Sequence, residues 1–169
     1  MSNLIDLEKY FKRRATQLKV AKFLLKRGLR VSEDGKILCN DIEIPYSSIA
    51  KVLKVDRRVV KATVDEILSN ENLRRIFTNL ASIPLFRDVA PELGFGAIEI
   101  IPEDPSSKGI IAGVTKIISE AGISVRQIIA EDPSFENAET VIITSKPLPR
   151  KLIDDMLKVK GVKKIVVIK

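Results

Sequence analysis

Residues 45–69 decide how the N-terminal half of the chain folds, and they read PYSSIAKVLKVDRRVVKATVDEILS. Ile49, Ala50 and Leu53 recur with helical spacing in the first part of the stretch. Asp56 follows a short Lys54–Val55 turn, where its side chain is expected to cap a second helix. That helix places its apolar positions on one side: Val59, Val60, Thr63, Val64, Ile67 and Leu68.

The opposite side of the second helix is basic near its start, which resembles the recognition helix of a helix-turn-helix. Arg57, Arg58 and Lys61 are the predicted contacts to base edges or phosphates. Ser47, Ser48 and Lys51 of the first helix are predicted to hold the DNA backbone. Two features depart from the pattern: Lys54 stands where a glycine is common, and Asp65 and Glu66 make the later half of the helix acidic. A three-helix domain that binds protein is the alternative.

The residues before this stretch predict a scaffold helix and a small sheet. Apolar residues recur at three and four positions from Leu4 through Leu7, Phe11, Ala15, Leu18 and Ala21 to Leu25, with a break predicted near residues 11–14. Gly28 then ends the helix. Residues 29–31 and 36–39 flank an Asp34–Gly35 turn, which predicts a β-hairpin, and residues 42–44 predict a third strand.

The sequence after residue 69 predicts another helix and then a boundary. Leu73, Ile76, Phe77 and Leu80 follow helical spacing. Residues 82–93 contain Pro84 and Pro91 and are interpreted as a linker. The predicted domains are therefore residues 1–81 and 94–169.

From Gly94 onward the apolar pattern changes to strands alternating with two helices. Strands are predicted at residues 96–101, 123–129, 140–144 and 162–168. Helices are predicted after Gly109 and after Pro149, the first with Ala121 and the second with Leu157 on its apolar face. This βαββαβ order predicts a ferredoxin-like sheet with both helices on one face, so the fold class of the whole chain is α+β.

Two segments of this half resemble an ACT domain: residues 104–129, with Lys108–Gly109 before an apolar helix and then EAGISV, and residues 157–165, LKVKGVKKI. Together with the helix-turn-helix pattern, the whole chain resembles a family of small archaeal proteins regarded as regulators of amino-acid metabolism. The resemblance implies side-by-side dimers and a small effector, commonly an amino acid. It implies ligand contacts at Asp104, Ser107, Lys108, Gly109 and Ser124. The alternative is that Gly109 serves only the turn.

Charge and composition narrow the function classes. Residues 1–93 hold 18 Lys and Arg against 12 Asp and Glu, whereas residues 94–169 hold 11 against 10. The basic excess therefore lies in the half with the helix-turn-helix pattern, which favours a polyanionic partner, although a solvated basic surface is the alternative. The chain has no histidine and one cysteine, Cys39, and no nucleophile or phosphate-loop motif, so we expect no enzyme, metal site or cofactor.

These observations predict a cytoplasmic, ligand-responsive transcriptional regulator that binds double-stranded DNA as a homodimer or higher homo-oligomer. No apolar run is long enough to span a bilayer and no export signal is visible, so no membrane partner is expected. The alternative is a regulatory subunit or binding module that acts on a biosynthetic enzyme through the ACT-like half without binding DNA.

Overall fold

The structure is a computed structural model that describes residues 6–131, 133 and 138–169 of the 169-residue chain. Within these residues the backbone forms seven helices and two antiparallel sheets, which confirms the predicted α+β class. The helices are α1 (Leu7–Tyr10), α2 (Ala15–Arg27), α3 (Tyr46–Leu53), α4 (Arg57–Ser69), α5 (Glu71–Phe77), α6 (Ile110–Glu120) and α7 (Arg150–Met156). The strands are β1 (Arg30–Val31), β2 (Ile37–Cys39), β3 (Ile42–Ile44), β4 (Gly96–Pro102), β5 (Val125–Ala130), β6 (Thr140–Thr144) and β7 (Val162–Ile168).

The chain divides into two compact units, one ending at Pro84 and the other beginning at Leu85. This division falls inside the predicted linker. Residues after Leu85 make turns, with the Ala90 amide donating to the Phe86 carbonyl at 2.8 Å. Ala90 is fully buried in a cluster with Ala97 and Ile143 of the C-terminal sheet. The segment therefore packs as part of the C-terminal unit.

The core of the N-terminal unit is formed by α2, α4 and α5 with contributions from α1, α3 and the small sheet. The predicted break after the first turns is present: α1 ends at Tyr10, and Arg13 takes a left-handed φ of 58°. This break shifts the phase of the helix, so Val20 and Leu24 are fully buried. The predicted stripe is wrong at Ala15, which is exposed, whereas Leu18 and Leu25 are partly buried and pack against the core. Leu4 lies outside the described residues.

The small sheet of the N-terminal unit has the order β1-β2-β3. Its first turn is closed by the Ser32 amide donating to the Lys36 carbonyl at 2.9 Å, and Gly35 has a φ of 82° that only glycine adopts without strain. The Tyr46 hydroxyl donates to the Gly35 carbonyl. The turn is thereby tied to the first residue of α3.

The sheet of the C-terminal unit has the order β5-β6-β4-β7, with every neighbouring pair antiparallel. Alternating side chains divide its two faces. Ile98, Ile100 and Ile142 pack in one cluster with α6 and α7. Ala97, Val141 and Ile143 lie in another cluster with Ala90 and Phe95. Both helices therefore cover one face, and the segment after Leu85 covers part of the other.

Three predicted details of this unit are wrong. The second strand begins at Val125 and not at Ile123, and its register with β6 is irregular between Val125 and Gln127. Ala121 and Leu157 are exposed because they lie just past the ends of α6 and α7.

In the described part of the chain, none of the helices combines the length and hydropathy that crossing a bilayer requires.

Candidate functional site

Three residues connect α3 to α4, and each has a distinct backbone role. Lys54 takes a left-handed conformation at φ 54° and ψ 51°, which closes α3. The Val55 amide donates to the Ala50 carbonyl at 3.0 Å. Asp56 is extended, and its carboxylate accepts from the Arg58 amide at 2.7 Å, which confirms the predicted cap of α4. Lysine thus occupies the position where glycine would be unstrained.

The orientation of α4 is fixed by burial on one side and by polar contacts at its flanks. Val60, Val64 and Ile67 have no exposed surface. Thr63 is buried as well, and its hydroxyl donates to the Val59 carbonyl at 2.8 Å, so the polar group is satisfied. Arg14 binds Glu66 at 2.6 Å, and this contact lowers the pKa of the Glu66 carboxyl. The acidic Glu66 therefore has a structural partner within the unit.

The six side chains predicted to contact DNA are all exposed: Ser47, Ser48, Lys51, Arg57, Arg58 and Lys61. Ser47 and the three basic residues of α4 line a single groove of about 480 Å³, whereas Ser48 and Lys51 lie outside it. The groove lies between the start of α4 and the β1–β2 turn. The structure thus brings four of the six predicted residues together.

Lys61 is the weakest of the three basic candidates on α4. Its ammonium group lies 2.8 Å from the Asp65 carboxylate, and this hydrogen bond raises the pKa of Lys61. Both groups are exposed, so the pair contributes little to stability, but it neutralises a charge on this face. Arg57 and Arg58 therefore carry most of the positive charge at the start of α4.

The opposite wall of the groove was not predicted from the sequence. It consists of the β1–β2 turn and β3 and includes Lys36. The carboxylates of Asp34 and Glu43 line the same groove as the two arginines of α4. Lys36 lies 3.4 Å from Asp34 and 3.6 Å from Glu43, and these carboxylates raise its pKa. The Asp34–Gly35 turn predicted a hairpin, but nothing in its local sequence indicates that it packs beside α4.

The predicted ligand residues of the C-terminal unit fall into two separate places. Asp104, Ser107, Lys108 and Gly109 belong to the loop between β4 and α6, while Ser124 precedes β5 at the far end of α6. Because α6 has 11 residues, its two ends are about 16 Å apart at 1.5 Å per residue. One chain therefore does not bring Ser124 to the other four residues.

The β4–α6 loop has a defined geometry. The Asp104 carboxylate accepts from the Ser106 amide at 2.9 Å and from its hydroxyl at 2.7 Å, and these bonds lower the pKa of Asp104. Gly109 begins α6 with a φ of 91°, and no side chain caps that helix end. The first amide groups of α6 therefore depend on other partners, such as water or an anion.

The same loop borders a cavity of about 260 Å³ at the start of α6. Ser107 and Gly109 line it, but Asp104 and Lys108 do not. Ser124 lines a different and more open groove between α6 and β5, together with Val125 and Ile128. Val125 and Ile128 are exposed on an edge strand, which leaves apolar surface along that edge.

A buried charge on the other face of the C-terminal sheet escaped sequence reasoning. Glu99 of β4 is only 5% exposed, and the Arg87 guanidinium donates to its carboxylate. Burial and the neighbouring Glu99 carboxylate raise the pKa of Glu139. The sequence does single out Glu99, because it interrupts an apolar strand. Its partner Arg87 lies in the segment interpreted as a linker, so the pair was not predicted. In the described ranges, no three acidic or sulfur-bearing side chains are grouped to hold a metal ion.

Comparison with known proteins places the chain in no family. No family model matches the sequence, and no curated protein does. Among solved structures, one titled "Crystal structure of PH0061" is similar, with 15% sequence identity and a TM-score of 0.27. The match covers 99% of this chain and 93% of that chain.

Proposed function

We propose that this protein is a ligand-responsive transcriptional regulator, in which α3 and α4 form a helix-turn-helix and the C-terminal unit is an ACT-type, ferredoxin-like effector domain. The observation that carries the proposal is the start of α4. Arg57 and Arg58 project from a helix whose opposite side is fully buried, directly after a three-residue turn. A helix anchored in this way can enter the major groove with its first residues facing base edges.

The C-terminal unit supports the second half of the proposal. Its strand order β5-β6-β4-β7, with both helices on one face, is the arrangement expected for a ferredoxin-like sheet. Its edge strand β5 exposes Val125 and Ile128, and antiparallel pairing of two such edges would cover them. Pairing about a two-fold axis would also carry Ser124 of a second copy toward the β4–α6 loop of the first.

Dimerisation links the two halves in one mechanism. A dimer presents two recognition helices to a two-fold-related DNA site. An effector bound at the paired C-terminal units changes DNA affinity only if it binds the two arrangements of the dimer with different affinity. Amino-acid metabolism is the proposed target of regulation, and it rests on the resemblance of the sequence to archaeal regulators of that kind.

The DNA half of the proposal is tested by fluorescence anisotropy with a labelled duplex of mixed sequence. We expect the Arg57→Ala, Arg58→Ala double variant to bind at least tenfold more weakly than the wild type. The control is the Lys163→Ala, Lys164→Ala double variant, which removes the same charge from an exposed stretch of β7. Equal losses in both double variants would show that only net charge matters and would overturn the assignment of α4.

The dimer half is tested separately by sedimentation. An Ile128→Asp substitution places a charge on the edge strand β5, beside α6, and should convert dimers to monomers. A matched Ile111→Asp substitution places the same charge at an exposed position on α6 and should leave the dimer intact. A wild-type chain that sediments as a monomer at all concentrations would contradict the paired arrangement.

A second candidate function has its own observation. Leu85, Phe86, Val89 and Leu93 are all exposed in one short segment of the C-terminal unit. Apolar side chains grouped in this way favour a protein partner, as a regulatory subunit of a biosynthetic enzyme would have. Recovery of an enzyme by affinity purification, lost in a Phe86→Ser, Val89→Ser variant, would favour this function over DNA binding.

A further inference from the structure

The β1–β2 turn is held beside α4 by contacts from three other elements of the N-terminal unit. The Tyr46 hydroxyl at the start of α3 donates to its Gly35 carbonyl, and the Arg74 guanidinium of α5 lies 2.5 Å from its Glu33 carboxylate. Gly35 also lies so close to α4 that a side chain at this position would meet Val64 at 3.8 Å. The side chains of the turn therefore have a fixed place at one wall of the groove that the two arginines of α4 also line.

Lys36 is the cation that this turn brings to the groove. Its ammonium group lies between two carboxylates, 3.4 Å from that of Asp34 and 3.6 Å from that of Glu43. The Ser32 hydroxyl donates to the Asp34 carboxylate at 2.5 Å, and this hydrogen bond, with a smaller contribution from Lys36, lowers the pKa of Asp34. Asp34 therefore stays charged at neutral pH and remains a partner for the lysine.

The carboxylates beside Lys36 distinguish it from the other basic side chains of the groove. In the described part of the chain, Arg57 and Arg58 form no ion pair with a carboxylate. By contrast, both partners of Lys36 line the groove themselves. A phosphate that approaches Lys36 thus meets two negative charges within a Debye length, which is about 8 Å at physiological ionic strength.

We propose that Lys36 is a masked contact for the DNA backbone, and that Asp34 and Glu43 mask it so that the groove binds phosphates less tightly than its basic side chains would allow. The inference rests on the proposed function, because it assigns the residues that set how selective the same DNA site is. Every duplex carries phosphates, so contacts to them position a protein without reading sequence. Weaker general binding leaves the base contacts of α4 to decide which duplex is held.

Removing the mask should tighten general DNA binding by a measurable factor. An exposed ion pair changes an equilibrium constant by up to about fivefold, and Lys36 is paired with both Asp34 and Glu43. We expect the Asp34→Asn, Glu43→Gln double variant to bind a labelled duplex of mixed sequence about three- to tenfold more tightly than the wild type. The plot of log association constant against log salt concentration should also steepen by about 1, because one more phosphate is neutralised.

The matched control is the Glu8→Gln, Asp41→Asn double variant. It removes the same charge from the same unit and also frees cations, because Glu8 lies 3.0 Å from Lys22 and Asp41 lies 3.9 Å from Arg30. Neither of these carboxylates lines the groove, so the control should change DNA affinity by less than about twofold. Equal gains in the two double variants would show that only net charge matters and would overturn the inference.

The Lys36→Met substitution separates the release of a contact from a simple loss of repulsion. In the wild-type background it should weaken DNA binding by less than about twofold, because a masked lysine contributes little. In the Asp34→Asn, Glu43→Gln background it should remove most of the gain and restore the wild-type salt slope. A gain that survives Lys36→Met, or a loss equally large in both backgrounds, would overturn the masking of Lys36.

The remaining outcomes separate this inference from the function on which it rests. If the wild type binds the duplex and the two double variants bind it equally, the inference fails while DNA binding stands. If the wild type binds no duplex, the DNA half of the proposed function fails, and elution from immobilised heparin, a polyanion without bases, decides the inference. The Asp34→Asn, Glu43→Gln variant should then elute at higher salt than the Glu8→Gln, Asp41→Asn control, and elution of both at the same salt would overturn the masking.

Discussion

The Arg87–Glu99 ion pair offers the sharpest test of how the C-terminal unit is held together. The Glu99 side chain is 7% exposed, and that of Arg87 is 35% exposed. Replacing Arg87 with Met keeps most of the side-chain bulk but leaves a carboxylate in the sheet without its cation. Removing one partner of a buried pair typically costs about 3–5 kcal/mol of unfolding free energy. Because the Arg87 side chain is partly exposed to water, we expect the Arg87→Met substitution to cost about 2–3 kcal/mol of unfolding free energy.

The measurement is urea denaturation followed by far-ultraviolet circular dichroism at pH 7. The Arg87→Met, Glu99→Met double variant removes the stranded charge and should recover at least half of the loss. Arg150→Met is the control at an exposed position, and it should change stability by less than about 0.5 kcal/mol. A cost below about 1 kcal/mol for Arg87→Met, or a double variant less stable than the single one, would refute the reasoning.

Three further predictions concern the turn before α4 and the partly buried carboxyl of Glu139. Lys54→Gly removes a left-handed strain of about 1–2 kcal/mol and should stabilise the N-terminal unit by up to about 1 kcal/mol in urea denaturation, whereas Lys51→Gly inside α3 should destabilise it by a similar amount. Asp56→Ala should cost about 1 kcal/mol in the same assay, with Asp56→Ser retaining most of the stability. The raised pKa of Glu139 means that the folded state holds its proton more tightly than the unfolded state, so this contribution is complete below the unfolded pKa and is lost as pH rises through the folded pKa. Glu139→Gln should therefore gain stability relative to the wild type as pH rises above about 4.5, and parallel melting curves from pH 4 to 7 would contradict this.

Local sequence signals predicted the elements that depend on neighbouring residues. Asp56 comes directly before an apolar helical pattern, so its role as the cap of α4 could be predicted from the few residues that follow it. The Asp34–Gly35 turn predicted the hairpin for the same reason, since glycine alone takes φ 82° without strain. The strand at residues 140–144 was predicted with its observed bounds, because its apolar run is short and flanked by polar residues.

The features that the sequence did not predict depend on contacts between residues that are distant in the chain, or on packing that outweighs the preference of a single residue. Arg87 meets Glu99 only because the segment after Leu85 folds back on the sheet, and a stretch with two prolines predicts no such packing. Ser124 was grouped with Gly109 by resemblance, but α6 separates them within one chain. Lys54 is left-handed because burial of Ala50 on one side and Val60 on the other fixes the turn more strongly than its own preference.

The central claim, that the positively charged start of α4 binds duplex DNA, is tested most directly by the salt dependence of that binding. The logarithm of the association constant should fall linearly with the logarithm of salt concentration, with a slope of about −0.9 for each phosphate neutralised. Removing Arg57 and Arg58 together should reduce the magnitude of that slope by about 1 to 2. A wild-type slope near zero, or a slope unchanged in the double variant, would contradict the account.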